Sequence, residues 1–460
     1  MKILRFTILL TLLLCISIGL FAGGFALSGV GSRATSMGGA FRGMADDATA
    51  MYWNPAGLAF LKNNEVSVGA TVIQPNSTWR NTAPLPGFTM SEISAANKMK
   101  AFPNLFGVYA ESKSAVMGLG FYVPYGLGAT WDAYTLPTTM PGIPAGATLD
   151  WSPNFPEDEM SSSVSVMDLH PTIAYKLADN LSFGLGISAM YGTIDLSQLK
   201  PSSTSSYYVP TTFDMSGKGF GIGGNAGIMY KPLENLSLGF NGRFPSNIQM
   251  DGDAEILLWL NNFANFNVWG GANPAFLVPQ TYGGTANIEA TLKLPGELGI
   301  GASYKVMPNL TVNLDYAYTM WKRLDMITVT MAEGDSIVIL AGHPMQSVVK
   351  STDLTFNWEN TSRISLGAEY KLGCNALRAG LYYDQSPIPE ETQLPTLSDI
   401  GNKISANLGF GREFGNLTLD INGQFVTMPE RTITTQTATN MVGVYNASTI
   451  SGNINIGYKF

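Results

Sequence analysis

Residues 310–321 read LTVNLDYAYTMW. Leu310, Val312, Leu314, Tyr316, Tyr318 and Met320 fall on one side of an extended chain, and Thr311, Asn313, Asp315, Ala317 and Thr319 on the other, because strand side chains point alternately to opposite faces. The same odd-even order returns in NLTLDINGQFV (416–426), where Leu417, Leu419, Ile421 and Phe425 oppose Thr418, Asp420, Asn422 and Gln424. It returns again in TISGNINIGYKF (449–460), where Ile450, Ile454, Ile456 and Tyr458 oppose Ser451, Asn453 and Asn455. A soluble sandwich and a membrane barrel both alternate in this way, so periodicity alone leaves the two open.

The connections separate them. A turn phrase recurs as YKLADNLSFGLG (175–186), YKPLENLSLGF (230–240), YKVMPNLTVNLD (304–315), YKLGCNALRAGL (370–381) and, in variant form, REFGNLTLDI (412–421), with YAESKSAVMGLGF (109–121) as a sixth. Each ends one strand, turns tightly through polar residues and starts the next. Between them lie seven long stretches rich in Pro, Ser, Thr and Asn, at roughly 75–100, 128–162, 196–217, 249–281, 323–359, 386–401 and 428–448. Thirteen connections imply fourteen strands, with LKLPGELGIGASYKV (292–306) taken as one strand that bends at or starts near Pro295. Short turns at one end, long loops at the other and an even strand count are the marks of a transmembrane β-barrel, and closure removes the edges an open sheet would expose.

Composition agrees. Charged residues make up 13% of the 460, against about 25% in ordinary soluble domains. Residues 1–22 form a leader: Lys2 and Arg5, an apolar run, then small residues. Beyond it no apolar run approaches the ~20 residues of a membrane helix. A net charge of −8 disfavours a nucleic-acid partner. After the leader one cysteine remains, Cys374, and the chain has two histidines, His170 and His343, so neither an internal disulfide nor a His/Cys metal cluster is expected, and no cofactor. The terminal strand ends Tyr458-Lys459-Phe460, which resembles the signal by which barrel assembly machinery recognises its clients. Residues 23–62 precede the first alternating run and are too apolar and glycine-rich for a loose tail. A barrel of fourteen strands, here residues 63–460, is wide enough to leave a lumen for them, as a plug.

The leading stretch GGFALSGVGSRATSMGGAFRGMADDATAMYWNPAGLAFL (23–61) resembles the N-terminal hatch of the FadL-like family of Gram-negative outer membranes, transporters of long-chain fatty acids and hydrocarbons. The likeness lies in Gly-Phe-x-Leu after the leader, in Ala-Asp-Asp-Ala and in Asn-Pro-Ala-Gly-Leu. FYVPYGLGATWD (121–132) is similar to that family's kinked third strand, and residues 294–325 and 378–411 to its later strand-turn-strand blocks. The resemblance implies an outer-membrane transporter for passive uptake of hydrophobic compounds, monomeric and embedded in outer-membrane lipid. It implies apolar ligand contacts at Phe25 and Leu27, and a side opening at Val123, Pro124, Tyr125, Gly126 and Gly128, where proline and glycine weaken the ladder.

Two further expectations concern the same route. EILLWLNNFANF (255–266) has the spacing of a short amphipathic helix with Ile256, Leu257, Trp259, Leu260 and Phe263 on its greasy face, a candidate external ligand groove. Asn54, Pro55 and Ala56 read as a hinge between hatch and barrel. Asp46 and Asp47 read as a helix cap or partners for lumenal cations. A lumenal cation that pairs with a ligand carboxylate is expected among Arg33, Arg42, Arg363 and Arg378. No nucleophile, histidine and carboxylate stand at informative spacing, so no enzyme is expected. The competing readings are an adhesin or structural barrel and a polar-solute porin.

Overall fold

The computed structural model describes residues 24–460 apart from 85–86, 97, 113, 140–145, 158, 204–207, 263–278, 340, 342–346 and 398. The leader over residues 1–22 and Phe263 lie outside these residues.

Fourteen antiparallel strands close into one barrel. They are β1 (Glu65–Arg80), β2 (Lys100–Tyr109), β3 (Ala115–Trp131), β4 (Met160–Ala178), β5 (Leu181–Ser203), β6 (Tyr208–Leu233), β7 (Leu236–Arg243 and Ser246–Leu260) and β8 (Gln280–Leu294 and Glu297–Met307). They continue with β9 (Leu310–Thr319 and Met326–Met331), β10 (Ser351–Thr355 and Thr361–Leu372), β11 (Asn375–Asp384), β12 (Lys403–Phe414), β13 (Leu417–Ile433) and β14 (Gly443–Lys459). Each strand pairs with its sequence neighbours, and β1 closes the ring on β14 from Glu65 opposite Lys459 to Arg80 opposite Val444. Among the described residues no helix is long and apolar enough to cross a membrane.

The direction of the alternation is inverted relative to a soluble core. On β9, Leu314, Tyr316 and Tyr318 are exposed, whereas Asn313, Asp315 and Ala317 are buried. On β14, Ile450, Ile454, Ile456 and Tyr458 point outward and Ser451, Asn453 and Asn455 inward. Apolar residues outside and polar residues inside suit a wall with hydrocarbon around it.

Several long connections are shorter than the sequence suggests. β5 runs to Ser203 and β6 starts at Tyr208; β13 runs to Ile433 and β14 starts at Gly443. Above the lipid band the outward face turns polar, so the alternation that marks a lipid-facing strand stops while the ladder continues. The stretch 323–359 holds the upper parts of β9 and β10, joined through a small hairpin (Ile337–Ile339 with Ser347–Val349). Residues 255–260 are not a helix. Ile256, Leu257, Trp259 and Leu260 lie on β7, with Ile256 and Leu257 paired to β6 on one side and the whole run paired to β8 on the other. Two ladders satisfy that backbone, and the helical spacing arises only because Ile, Leu, Leu, Trp and Leu are apolar in every direction.

Breaks and bulges interrupt several strands, β13 among them between Met428 and Arg431. β3 is bulged between Tyr122 and Tyr125. β7 breaks at Phe244–Pro245, β8 at Pro295–Gly296, β9 at Met320–Asp325 and β10 at Phe356–Asn360. Proline accounts for the β7 and β8 breaks, since it cannot donate to a ladder.

Candidate functional site

Residues 24–60 run against the inward faces of the wall and are largely buried. They form two short helices, α1 (Ser32–Ser36) and α2 (Ala50–Trp53), then a 3-10 turn, Pro55–Phe60. Proline at the first position and the Asn54 side chain, which accepts from the Ala56 N–H, start that turn. Asn54 also donates to the carbonyls of Arg42 (3.0 Å) and Ile228 (3.2 Å), tying the turn to the segment and to β6. Wall glycines permit the approach: a Cβ on Gly184 would meet the Pro55 carbonyl carbon at 2.3 Å, and one on Gly227 the Asn54 Oδ1 at 2.1 Å.

Arginines clamp the segment. Arg42 reaches Glu297 (2.6 Å), Asn241 (2.9 Å) and Asp315 (3.5 Å), and the N–H groups of Phe41 and Arg42 donate to the same Asp315. Arg33 bridges Asp46 (2.7 Å) within the segment and Glu369 (2.8 Å) on β10, and Arg378 joins Glu369 (2.6 Å) to Asp420 (2.5 Å). Asp47 accepts from the Thr49 N–H and hydroxyl just before α2. Arg363 lies over the Tyr382 ring and donates to the carbonyls of Ser28 and Gly38. All four arginines are thus occupied by groups of the protein itself. Buried charges are retained in this way because each is paired and hydrogen-bonded.

The segment's first residues meet β3. The β2–β3 ladder ends at Leu105 opposite Phe121, although β2 continues to Lys100 in its pairing with β1. Above that point the edge of β3 is met from inside: the Leu27 N–H donates to the Pro124 carbonyl and the Gly126 N–H to the Phe25 carbonyl, both at 3.0 Å. Leu27, Ile73 and Val123 pack together with Phe102 beside them. A pocket opens here, lined by Leu27, Ile73, Lys100, Phe102 and Leu127.

A second pocket adjoins Phe25 and is lined almost wholly by apolar groups, among them Leu127, Val164, Ile194, Leu324 and Trp358. The Phe25 ring stands edge-on to Trp321 (5.0 Å between centroids) and Tyr125 (5.6 Å) and tilted against Trp358 (5.6 Å). At its rim the Gly24 N–H donates to Asp399, which pairs with Lys403 at 3.0 Å.

Of the residues singled out from sequence, the structure therefore brings Phe25 and Leu27 together with Val123, Pro124, Tyr125 and Gly126, while Gly128 lines the first pocket. Asp46, Asp47, Asn54, Pro55 and Ala56 lie deeper, toward the tight turns. Trp259 and Leu260 are remote from both pockets: Trp259 donates to Thr212 and stands edge-on to Phe155, and Leu260 packs on Val209. Ile256 reaches only the margin of the apolar cluster around Phe25. Sequence reading missed Trp321 and Trp358, which sit at strand breaks, Asp399 in a loop and Lys403 at the first position of β12, where no period marks them.

Residues 13–460 match the family model described as "Outer membrane protein transport protein (OMPP1/FadL/TodX)". The long-chain fatty acid transport protein of Escherichia coli (strain K12) is 25% identical over 403 residues, covering 82% of this chain and 80% of the relative. Outer membrane protein P1 of Haemophilus influenzae is 24% identical over 431 residues, covering 84% and 82%. Among solved structures, a Pseudomonas aeruginosa FadL homologue superposes with a TM-score of 0.75 at 17% identity, over 95% of this chain and all of that one. The Pseudomonas putida toluene transporter TodX superposes with a TM-score of 0.68 at 18% identity, over 94% and 99%. The inverted alternation, the closed fourteen-stranded wall and the match across the chain identify it as a member of the OMPP1/FadL/TodX family of outer-membrane transport proteins.

Proposed function

We propose that this chain carries hydrophobic compounds, long-chain fatty acids or comparable lipids and hydrocarbons, passively across the outer membrane. The observation that carries the reading is the apolar pocket beside Phe25, next to the one stretch of β3 that β2 does not pair. Each methylene moved from water into such a lining gains about 0.8 kcal/mol, so an acyl chain needs no other source of affinity. Residues 23–62 act as a hatch, with Asn54, Pro55 and Ala56 as its hinge. When Phe25 and Leu27 leave β3, the gap at Val123, Pro124, Tyr125, Gly126 and Gly128 becomes a side door into the bilayer. The relatives' names, long-chain fatty acid transport and toluene transport, support the substrate class. Phe460, exposed at the last strand's end, is the contact for barrel assembly.

The test is Gly126→Val. A Cβ at Gly126 would lie 2.6 Å from the Phe102 ring, so the larger side chain crowds the gap and not the pocket beside Phe25. Oleate or alkylbenzene uptake should slow while binding to purified barrel is unchanged. Equal losses in binding and uptake would reject the side door.

A further inference from the structure

The wall has a second unpaired stretch, and it backs directly onto the apolar pocket. Lower β8 and lower β9 pair from Met307 opposite Leu310 to Glu297 opposite Thr319. Upper β8 pairs with β7 throughout, from Leu294 opposite Ser246 to Gln280 opposite Leu260, and upper β9 pairs with upper β10. Between upper β8 and upper β9, however, the described residues pair only at Ile288–Met331 and Glu289–Thr330. Residues 290–296 thus face 320–329 with no ladder between them, and the 3-10 turn Trp321–Arg323 fills part of the space.

What closes this stretch is side chains. The Met320 N–H donates to the Gly296 carbonyl at its lower lip, and the Ala332 N–H to the Asn287 carbonyl at its upper lip, both at 2.8 Å. Across the middle, Lys293 Nζ meets Asp325 at 2.8 Å on the outer surface. That pair is solvent-exposed and therefore contributes little. Directly behind it Leu292, Leu324 and Ile327 line the pocket that holds Phe25. Both β9 at Met320 and β3 at Pro124 break about ten residues from their tight turns, or roughly 25 Å along the barrel axis for a tilted strand, which sets the lower lip of each gap at the outer rim of the apolar band.

We propose that the β8–β9 gap is a second side portal, through which an apolar, chain-like solute dissolved in the outer leaflet reaches the pocket beside Phe25 without displacing residues 24–27. This rests on the reading of that pocket as the ligand site. The chemistry fits the solute: the inner mouth offers three aliphatic side chains and no charge, and opening it parts the exposed Lys293–Asp325 pair and the exposed hydrogen bond from Arg323 to Asn247 (2.6 Å) but breaks no backbone bond.

The portal can be shut reversibly. In a C374S background, Lys293→Cys and Asp325→Cys are joined by a cleavable bis-maleimide in the folded barrel, reconstituted in liposomes. Stopped-flow mixing with vesicles loaded with 1-bromododecane reads quenching of tryptophan, since Trp321 and Trp358 flank the pocket and, among the described residues, the lipid-facing aromatics are tyrosine and phenylalanine. The portal requires quenching to slow several-fold when the staple is in place, to recover on cleavage, and to reach the same final amplitude. An unchanged rate in a chain that is quenched overturns the portal and leaves the pocket as ligand site. Quenching that persists unaltered in W321F/W358F shows the pocket is not the ligand site, and overturns both readings.

Discussion

Replacing Arg42 by methionine keeps the unbranched stem of the side chain and removes the guanidinium with its charge. In the native molecule its guanidinium meets Glu297 at 2.6 Å, Asn241 at 2.9 Å and Asp315 at 3.5 Å, inside the lumen. Removing one partner of a buried ion pair strands the other and costs about 3–5 kcal/mol. Every 1.4 kcal/mol is a tenfold change in an equilibrium constant, so opening of the leading segment should become roughly two to three and a half decades more frequent. The wall should stand, because its ladders close without Arg42. Amide hydrogen exchange measured by mass spectrometry separates the two: peptides from residues 30–60 should lose protection by that factor, while β11–β14 keep theirs. Lys176→Ala, which deletes an exposed pair with Asp179 (3.2 Å), provides the contrast and should change exchange by a factor of a few at most. Segment protection within threefold of the parent in R42M would refute the claim that these buried pairs hold the segment in place.

Other consequences follow from the same geometry. Gly227→Leu should drive a side chain into the Asn54 carboxamide, leaving the barrel folded but the 54–60 turn open to protease; an intact turn would deny the close approach. Glu159, in the loop before β4, accepts from the Ala133 N–H, and burial pushes its carboxyl up to about 7. Because the folded form holds its proton more tightly than the unfolded chain, the cost of keeping the loop packed grows as pH rises from about 4.5 to about 7 and is level above that. Protection of the 133–159 loop, corrected for intrinsic exchange, should therefore fall by roughly tenfold or more across that window in the parent. It should stay flat in E159Q, and an identical fall in E159Q would discard the assignment. Phe460→Ala should slow delivery into the outer membrane without changing the melting of barrel that arrives; normal delivery would remove Phe460 from assembly.

The wall was legible because hydrocarbon outside and polar groups inside impose a period of two on β9, β13 and β14, and because tight turns such as Pro308–Asn309 carry their own chemistry. Pro295 marked a break for the same local reason. The upper strands were hidden: around Ser197, Thr212 and Thr432 the outward face turns polar while buried apolar residues such as Leu199, Phe213 and Ile433 face inward, so the lipid-facing alternation stops although the ladders continue. Residues 255–260 misled because a run apolar on all sides satisfies a helical wheel as readily as a strand, and the decision lay with β6 and β8. Phe25, Leu27 and the β3 kink were recognised through resemblance, not through any period of their own. Of the clamps only the local half was legible, Asp46 and Asp47 as partners for a cation that proves to be Arg33; nothing local to Arg33 points to Glu369, or to Arg42 that Glu297 and Asp315 await it.

The central claim is that an apolar solute lodges inside this barrel beside the leading segment and leaves or arrives through the wall. Photolabelling the folded chain in outer-membrane lipid with a palmitate analogue bearing a mid-chain diazirine, followed by peptide mapping, addresses it directly. Adducts are expected on Phe25, Leu127, Leu324 or Trp358, competed away by unlabelled palmitate. Adducts confined to lipid-facing positions such as Leu298, Ile300 and Leu408, indifferent to competitor, would contradict it.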